Sequence, residues 1–245
     1  MNCQPNIKSL VYKCINNNHA CLLCDEPARQ PHPLCVACES ELPWLGEQCL
    51  RCALPLSLDG LTCASCSRRP PAYSQVVAAW HYGFPVDTLI SRFKHHSQWP
   101  LGRLMAQLLG HAVEHCHGMG LPRPDRLLPV PLARRRLRQR GFNQAAMLCR
   151  WLSRQLELPW DEHLLERTRD TPAQQALGAS ARQRNLRQAF ALSPGTEVEG
   201  LHLAVVDDVM TTGATAQAIA ALLRKAGARR VDIYCLARTP RPGQA

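Results

Sequence analysis

Two signatures alternate along most of this chain: short apolar runs rich in β-branched residues, and stretches in which apolar residues recur every three or four positions. The first fits a strand buried on both faces and the second an amphipathic helix. Val76 to Tyr82 predicts a strand, and after Pro85 a helical pattern runs through Leu89, Ile90 and Phe93. Pro100 opens a second helix with Leu101, Leu104, Met105, Leu108 and Ala112 on one face. Asp125 to Val130 predicts the next strand, followed by an arginine-rich loop and a helix from near Gly141-Phe142-Asn143 to about Leu156, burying Leu148, Trp151, Leu152 and Leu156. A third strand falls around Leu164 to Arg167, another at Leu203 to Val206, and a last at Val231 to Leu236. Between the last two lies a helix through Ile219, Leu222, Leu223 and Ala226, stopped at Gly227. Strands separated by helices in this order predict an α/β fold, a doubly wound parallel sheet with helices on both faces.

Cysteines, not apolar periodicity, organise the start of the chain. Eight of its 13 form four CxxC pairs, Cys21/Cys24, Cys35/Cys38, Cys49/Cys52 and Cys63/Cys66, whose first members are spaced by 14 residues each time. A CxxC knuckle presents two thiolates to one ion, and two knuckles complete a tetrahedral tetrathiolate site, so the repeat predicts two structural zinc ions. Disulfides do not suit a reducing cytoplasm, and the spacing is unlike a ferredoxin run. Sequential pairing is expected, because short hairpins then close each site alone; a cross-braced pairing of 21/24 with 49/52 is the alternative. With few large apolar residues beyond Leu22, Leu34, Leu42, Trp44 and Leu54, metal binding is expected to supply much of the folding free energy here. Residues 1–18 predict a weakly structured start, 19–70 a double zinc ribbon ending at Arg68-Arg69-Pro70-Pro71, and 71–245 a second domain.

Charge changes the picture locally. The formal net charge is +10, of which residues 121–190 carry +8, from 14 arginines and no lysine against 6 acids. Arg134, Arg135, Arg136, Arg138 and Arg140 fall between a strand and a helix, where open α/β sheets bind ligands. Guanidinium forks suit bidentate phosphate recognition, and the same patch would attract nucleic acid. Six histidines between His81 and His117 show no persuasive metal spacing. No signal peptide and no run of 18 apolar residues is seen, which predicts a cytoplasmic protein without membrane insertion.

The densest chemistry lies in HLAVVDDVMTTGATAQAIAALLRKAGARR, residues 202–230. A strand ends in Asp207 and Asp208, then come Thr211, Thr212, Gly213, Ala214 and Thr215, then a helix. Small residues let backbone N–H groups and a helix N-terminus wrap an anion, and the two carboxylates can accept hydrogen bonds from vicinal hydroxyls. A sugar with a 5-phosphate and free 2- and 3-hydroxyls satisfies both halves. Neither GxxxxGK[ST] nor GxGxxG is present. The long polar stretch RDTPAQQALGASARQRNLRQAF, with Thr171, Gln174, Arg182, Arg184 and Asn185, predicts an active-site lid.

The segment 202–230 resembles the phosphoribosyl-pyrophosphate (PRPP) motif of type I phosphoribosyltransferases. Taken with the four CxxC pairs, PVPL, RRxLRxRGFNQ, RxxxTPxQ and RxxNLRxAF, the chain resembles the ComF family, a zinc ribbon fused to a phosphoribosyltransferase-like domain. That resemblance implies a bacterial protein of natural transformation or DNA utilisation that works with single-stranded DNA. It also implies that Asp207 and Asp208 bind the ribose hydroxyls, residues 211–215 the 5-phosphate, Arg134 to Arg140 the pyrophosphate, and that magnesium bridges PRPP. The chain ends just beyond its last strand, so a hood selecting the acceptor must come from residues 72–120 or from the zinc module. Two readings result: a magnesium-dependent phosphoribosyltransferase of unidentified acceptor, or a non-enzymatic accessory that binds single-stranded DNA along its arginines and a competence helicase through its zinc module. Aromatics make up only 5% of residues and none lies within 134–140, which weighs against an intrinsic stacking platform.

Overall fold

The computed structural model describes residues 19–57, 61–168 and 188–240. The chain divides into two compact units, Met1–Leu42 and Pro43–Ala245. The first contains a two-residue antiparallel ribbon, β1 (His19–Ala20) with β2 (Pro27–Ala28), and the short helix α1 (Val36–Ser40). The second opens with a zinc-ribbon segment ending in α2 (Ala64–Arg68) and continues into the α/β layers. Cys49, Cys52, Cys63 and Cys66 thus share a compact unit with the sheet.

In the second unit the chain runs through β3 (Gln75–His81), α3 (Val86–His96), α4 (Trp99–Gly118), β4 (Arg126–Pro129), α5 (Arg134–Arg140) and α6 (Gln144–Leu156). A separate pair follows, β5 (Leu165–Arg167) and β6 (Phe190–Leu192), and then β7 (His202–Met210), α7 (Ala214–Lys225) and β8 (Arg230–Arg238). The main sheet is four-stranded and parallel throughout, in the order β3-β8-β7-β4. Its strands are buried almost end to end, which is why they read as continuous apolar runs. Leu164 to Arg167 does not join that sheet as expected: β5 pairs antiparallel with β6 outside it. Within β5, Leu165 is buried while Glu166 is exposed, and a strand with one wet face cannot fill an interior position of a sheet covered on both sides.

One face of the sheet packs on α4 and α6. The other is a single apolar cluster in which Leu203, Val205, Val231, Ile233 and Cys235 meet Ile219, Ala220 and Leu223 of α7, together with Cys49, Cys52, Cys63 and Cys66. The second ribbon is therefore part of the core that covers the sheet. At the amino ends of β7 and β8, fully buried Asp232 accepts from Arg230 Nε at 2.9 Å and lies 2.7 Å from His202 Nε2, fixing the two strands in register.

Close helix packing rests on Gly102 of α4, where an added Cβ would lie 2.5 Å from the fully buried Phe93 ring of α3. Overpacking of this kind costs about 1–3 kcal/mol, against a helix-propensity gain of about 1 kcal/mol for Gly to Ala. Gly102→Ala should therefore lower stability by roughly 1 kcal/mol, read as a lower urea midpoint at unchanged slope.

Candidate functional site

The cysteines come together as two sets, Cys21/Cys24/Cys35/Cys38 and Cys49/Cys52/Cys63/Cys66, with all sulfurs of a set within 4.8 Å of one another. Sequential pairing holds, and the cross-braced alternative does not. A tetrahedron with metal–sulfur bonds of about 2.3 Å has sulfur–sulfur edges near 3.8 Å; Cys24 to Cys35 is 3.7 Å and Cys52 to Cys63 is 3.8 Å. The donor sets fit zinc. Burial pushes the Cys49 thiol up, but the amides of Cys63, Cys52 and Arg51 outweigh it and bring it down to about 7, favouring the thiolate that binds metal. The amide of Cys63 donates to Cys49 Sγ at 3.2 Å, so the turn that brings in the second knuckle also stabilises a thiolate of the first. With four thiolates per ion and no open position, these are structural centres.

At the carboxyl end of the main sheet, Asp207, Thr211, Thr212, Gly213, Ala214 and Thr215 line one pocket of about 210 Å³, floored by Val130, Val205 and Ile233. The helix after β4 lies on one face of the sheet and the helix after β7 on the other, so the crevice between these strands is a topological switch point. Gly213 has φ 75°, and a Cβ there would approach Met210 Cε to 2.7 Å, so the turn into α7 requires glycine. Alternation along β7 sends the two aspartates to opposite faces. Asp207 faces the pocket; Asp208 is buried and ion-paired with Lys94 of α3 at 2.6 Å. Burial, followed by the neighbouring Asp208 charge, lifts the Asp207 carboxyl far above its usual 3.8, to about 8.

The arginine segment 134–140 is helical, not a loop. Gly141, at φ 82°, ends α5, and Asn143 caps α6 by accepting from the amide of Ala145 at 3.0 Å while donating to the Val130 carbonyl at 3.1 Å. Arg134, Arg135, Arg136 and Arg138 are exposed. Arg140 is half-buried, bonded to Gln144 and within the field of Asp208, and burial lowers its pKa. His95 is lowered by burial and then by Arg140 and Lys94, so a neutral imidazole borders the basic groups. Thr171, Gln174, Arg182, Arg184 and Asn185 lie outside the described residues.

Residues 18–67 match the double zinc ribbon domain family and residues 143–244 the phosphoribosyl transferase domain family. The chain is 38% identical over 221 residues to DNA utilization protein YhgH of Escherichia coli (strain K12), covering 89% of this chain and 96% of that protein. The chain belongs to the ComF family. Other similar proteins are competence protein F of Haemophilus influenzae (strain Rd), 35% identical over 84% of this chain and 90% of that one, and competence protein ComFC of Bacillus subtilis (strain 168), 25% identical over 89% and 95%. Like the family's two domain types, this ComF chain combines a double zinc ribbon, its two tetrathiolate sets, with a phosphoribosyl transferase fold. Among the described residues no helix is long and apolar enough to cross a membrane.

Three residues around the ComF pocket escaped sequence reasoning: Lys94, Tyr73 and Arg238. Lys94 left one faint signal, being one of only four lysines in a chain of 25 arginines. Tyr73 and Arg238 left none, since a linker tyrosine and a strand-end arginine are ordinary.

Proposed function

We propose that this ComF protein binds PRPP with magnesium at the Asp207 pocket and transfers or senses its phosphoribosyl group in the uptake or utilisation of DNA. The observation that carries this reading is the convergence on one pocket of an acidic strand end and the small-residue loop 211–215. The loop amides and the start of α7 take the 5-phosphate, Asp207 accepts from the ribose hydroxyls, and Arg140 with its neighbours faces the pyrophosphate. Magnesium, when bound with PRPP, supplies further neutralisation of the pyrophosphate. In transfer, the acceptor forms a bond to the anomeric carbon as the bond to pyrophosphate breaks and that group leaves with the electron pair. Positioning and charge stabilisation carry the rate.

Titration calorimetry of the zinc-loaded protein with PRPP, with and without magnesium, tests the reading. Saturable magnesium-dependent binding, lost in Asp207→Asn, supports it, and no binding at millimolar PRPP defeats it. The sign of the pH dependence is set by Asp207. A hydroxyl donates to the ionised carboxylate, so binding favours proton loss, and affinity should rise with pH up to about 8 and then level off. Below that range each binding event should release close to one proton, seen as a heat that varies with the buffer's ionisation enthalpy.

A second reading, single-stranded DNA binding, is favoured by one arrangement on the same unit. Trp99 is 52% exposed and stands edge-on to Phe142, with ring centroids 6.3 Å apart, and Phe142 follows directly on α5. An exposed aromatic beside exposed arginines is what a stacking platform uses. Trp99→Ala should weaken oligonucleotide binding by about 1–3 kcal/mol, whereas Arg134, Arg135 and Arg136 changed together to Gln should also flatten its salt slope. Unchanged binding in both variants removes this reading.

A further inference from the structure

The phosphate loop and the second cysteine set are joined by one side chain. Arg238, at the end of β8, is 6% exposed. Its Nε donates to the carbonyl of Cys52 at 2.9 Å, and its Nη1 donates to the carbonyls of Met210 at 3.0 Å, Thr239 at 2.7 Å and Thr211. Cys52 belongs to a knuckle of the second tetrathiolate set; Met210 and Thr211, the last strand residue and the first loop residue, line the pocket. No ion pair to a carboxylate is found for Arg238 among the described residues. A buried guanidinium needs a counter-charge. Four thiolates around Zn²⁺ carry a net charge of about −2, and the Cys52 end of that cluster is where the guanidinium is bonded.

Two other contacts run the same way. The Tyr73 ring is buried between the cluster and the loop: its hydroxyl feels the charges of Cys52, Cys66, Cys49 and Arg238, and it lies 3.4 Å from where a Cβ on Gly213 would sit. The Ala72 amide, just past the ribbon, donates to Gln217 Oε1 in the first turn of α7 at 2.8 Å. The strand end, the loop and the first turn of the helix are each braced against the second ribbon. No comparable brace is needed to fold a parallel sheet, whose strands already pair along their length.

We propose that Arg238 is a positioning residue for the phosphate loop, and that the zinc tetrathiolate of Cys49, Cys52, Cys63 and Cys66 is its counter-ion, so that metal occupancy of this set governs loop order and ligand affinity. The affinity half of this inference rests on the PRPP reading; the loop half does not. Because coupling is reciprocal, a phosphorylated ligand in the pocket must in turn hold zinc at the second set more tightly.

The test compares the full zinc-loaded chain with Arg238→Gln and Arg238→Lys, and with Arg103→Gln, exposed on α4, as a control for lost charge. Zinc content and the unfolding transition establish that each variant is folded. Three quantities are then read: hydrogen exchange of a peptide spanning residues 208–216 without ligand, the PRPP dissociation constant, and the rate of zinc loss to a chelator with and without PRPP, in a background where Cys24→Ser and Cys38→Ser leave only the second set. Both Arg238 variants should exchange in the loop at least tenfold faster and bind PRPP at least tenfold more weakly, while Arg103→Gln matches the parent. PRPP should slow zinc loss in the parent but not in Arg238→Gln. Lysine keeps the charge but cannot reach ribbon and loop carbonyls together, so it decides the matter if the glutamine variant does not fold. Loop exchange at the parent rate in the folded variants overturns the inference. If the parent does not bind PRPP while the variants still loosen the loop, the PRPP reading falls and the brace stands.

Discussion

Changing Cys52 and Cys63 together to serine is expected to unfold the Pro43–Ala245 unit, whereas changing Cys24 and Cys35 to serine should remove one zinc and leave the unfolding transition of that unit in place. The asymmetry follows from where each set lies. Cys49, Cys52, Cys63 and Cys66 are all buried in the cluster that covers one face of the sheet. In the first set Cys24 is exposed and Cys35 and Cys38 are half-buried, within a separate compact unit. A structural zinc contributes about 10–16 kcal/mol to the folding of small modules, as much as or more than the ~5–15 kcal/mol that holds a whole domain folded. Losing it from the second set also leaves two buried thiols and two buried hydroxyls within the apolar cluster that covers the sheet. Zinc per chain together with scanning calorimetry checks this. A Cys52→Ser/Cys63→Ser protein that holds one zinc and melts as the parent does would show the second set to be an ornament of the sheet.

The second large effect is expected at Lys94. Exposed ion pairs are worth about 0–1 kcal/mol, and breaking a buried one costs about 3–5 kcal/mol. With side chains 20% and 8% exposed, Lys94 and Asp208 fall toward the buried limit. Lys94→Met removes the ion-pair partner of the Asp208 carboxylate beside Asp207 and leaves it only the field of Arg140, so stability should drop by about 3 kcal/mol. Lys94→Met with Asp208→Asn removes both charges and should recover most of the loss. A cycle of the two single variants and the double, followed by urea denaturation, gives the coupling directly. Additive losses would mean that the pair is only a contact. The Lys94 charge also helps hold Asp207 ionised, so its loss should move the rise of PRPP affinity to higher pH.

Much of this is legible in the sequence, and the reason is periodicity. Strands β3, β4, β7 and β8 are apolar runs because each is covered on both faces, and α4, α6 and α7 show their buried stripes plainly. Leu165 to Arg167 reads as a strand of the main sheet because three residues with one wet face look much like the end of a buried strand, and only its antiparallel partner, 190–192, shows where it belongs. The arginine segment reads as a loop because five arginines carry no apolar stripe, and only Phe142 separates its C-cap, Gly141, from Asn143, the N-cap of the next helix.

The chain's order of residues by itself determined the four CxxC knuckles, since a knuckle is local; that neighbouring knuckles pair, and not alternate ones, is decided by the fold. Residue order determined the acidic strand end and the small-residue loop for the same reason: both halves of that motif lie within nine residues. What only the tertiary structure decided is which distant side chains serve them. Lys94 reaches Asp208 across 114 positions of sequence, and Arg238 reaches Cys52 across 186. Packing of helix on sheet and ribbon on sheet makes those contacts, and each is fixed by a burial cost that no local pattern records.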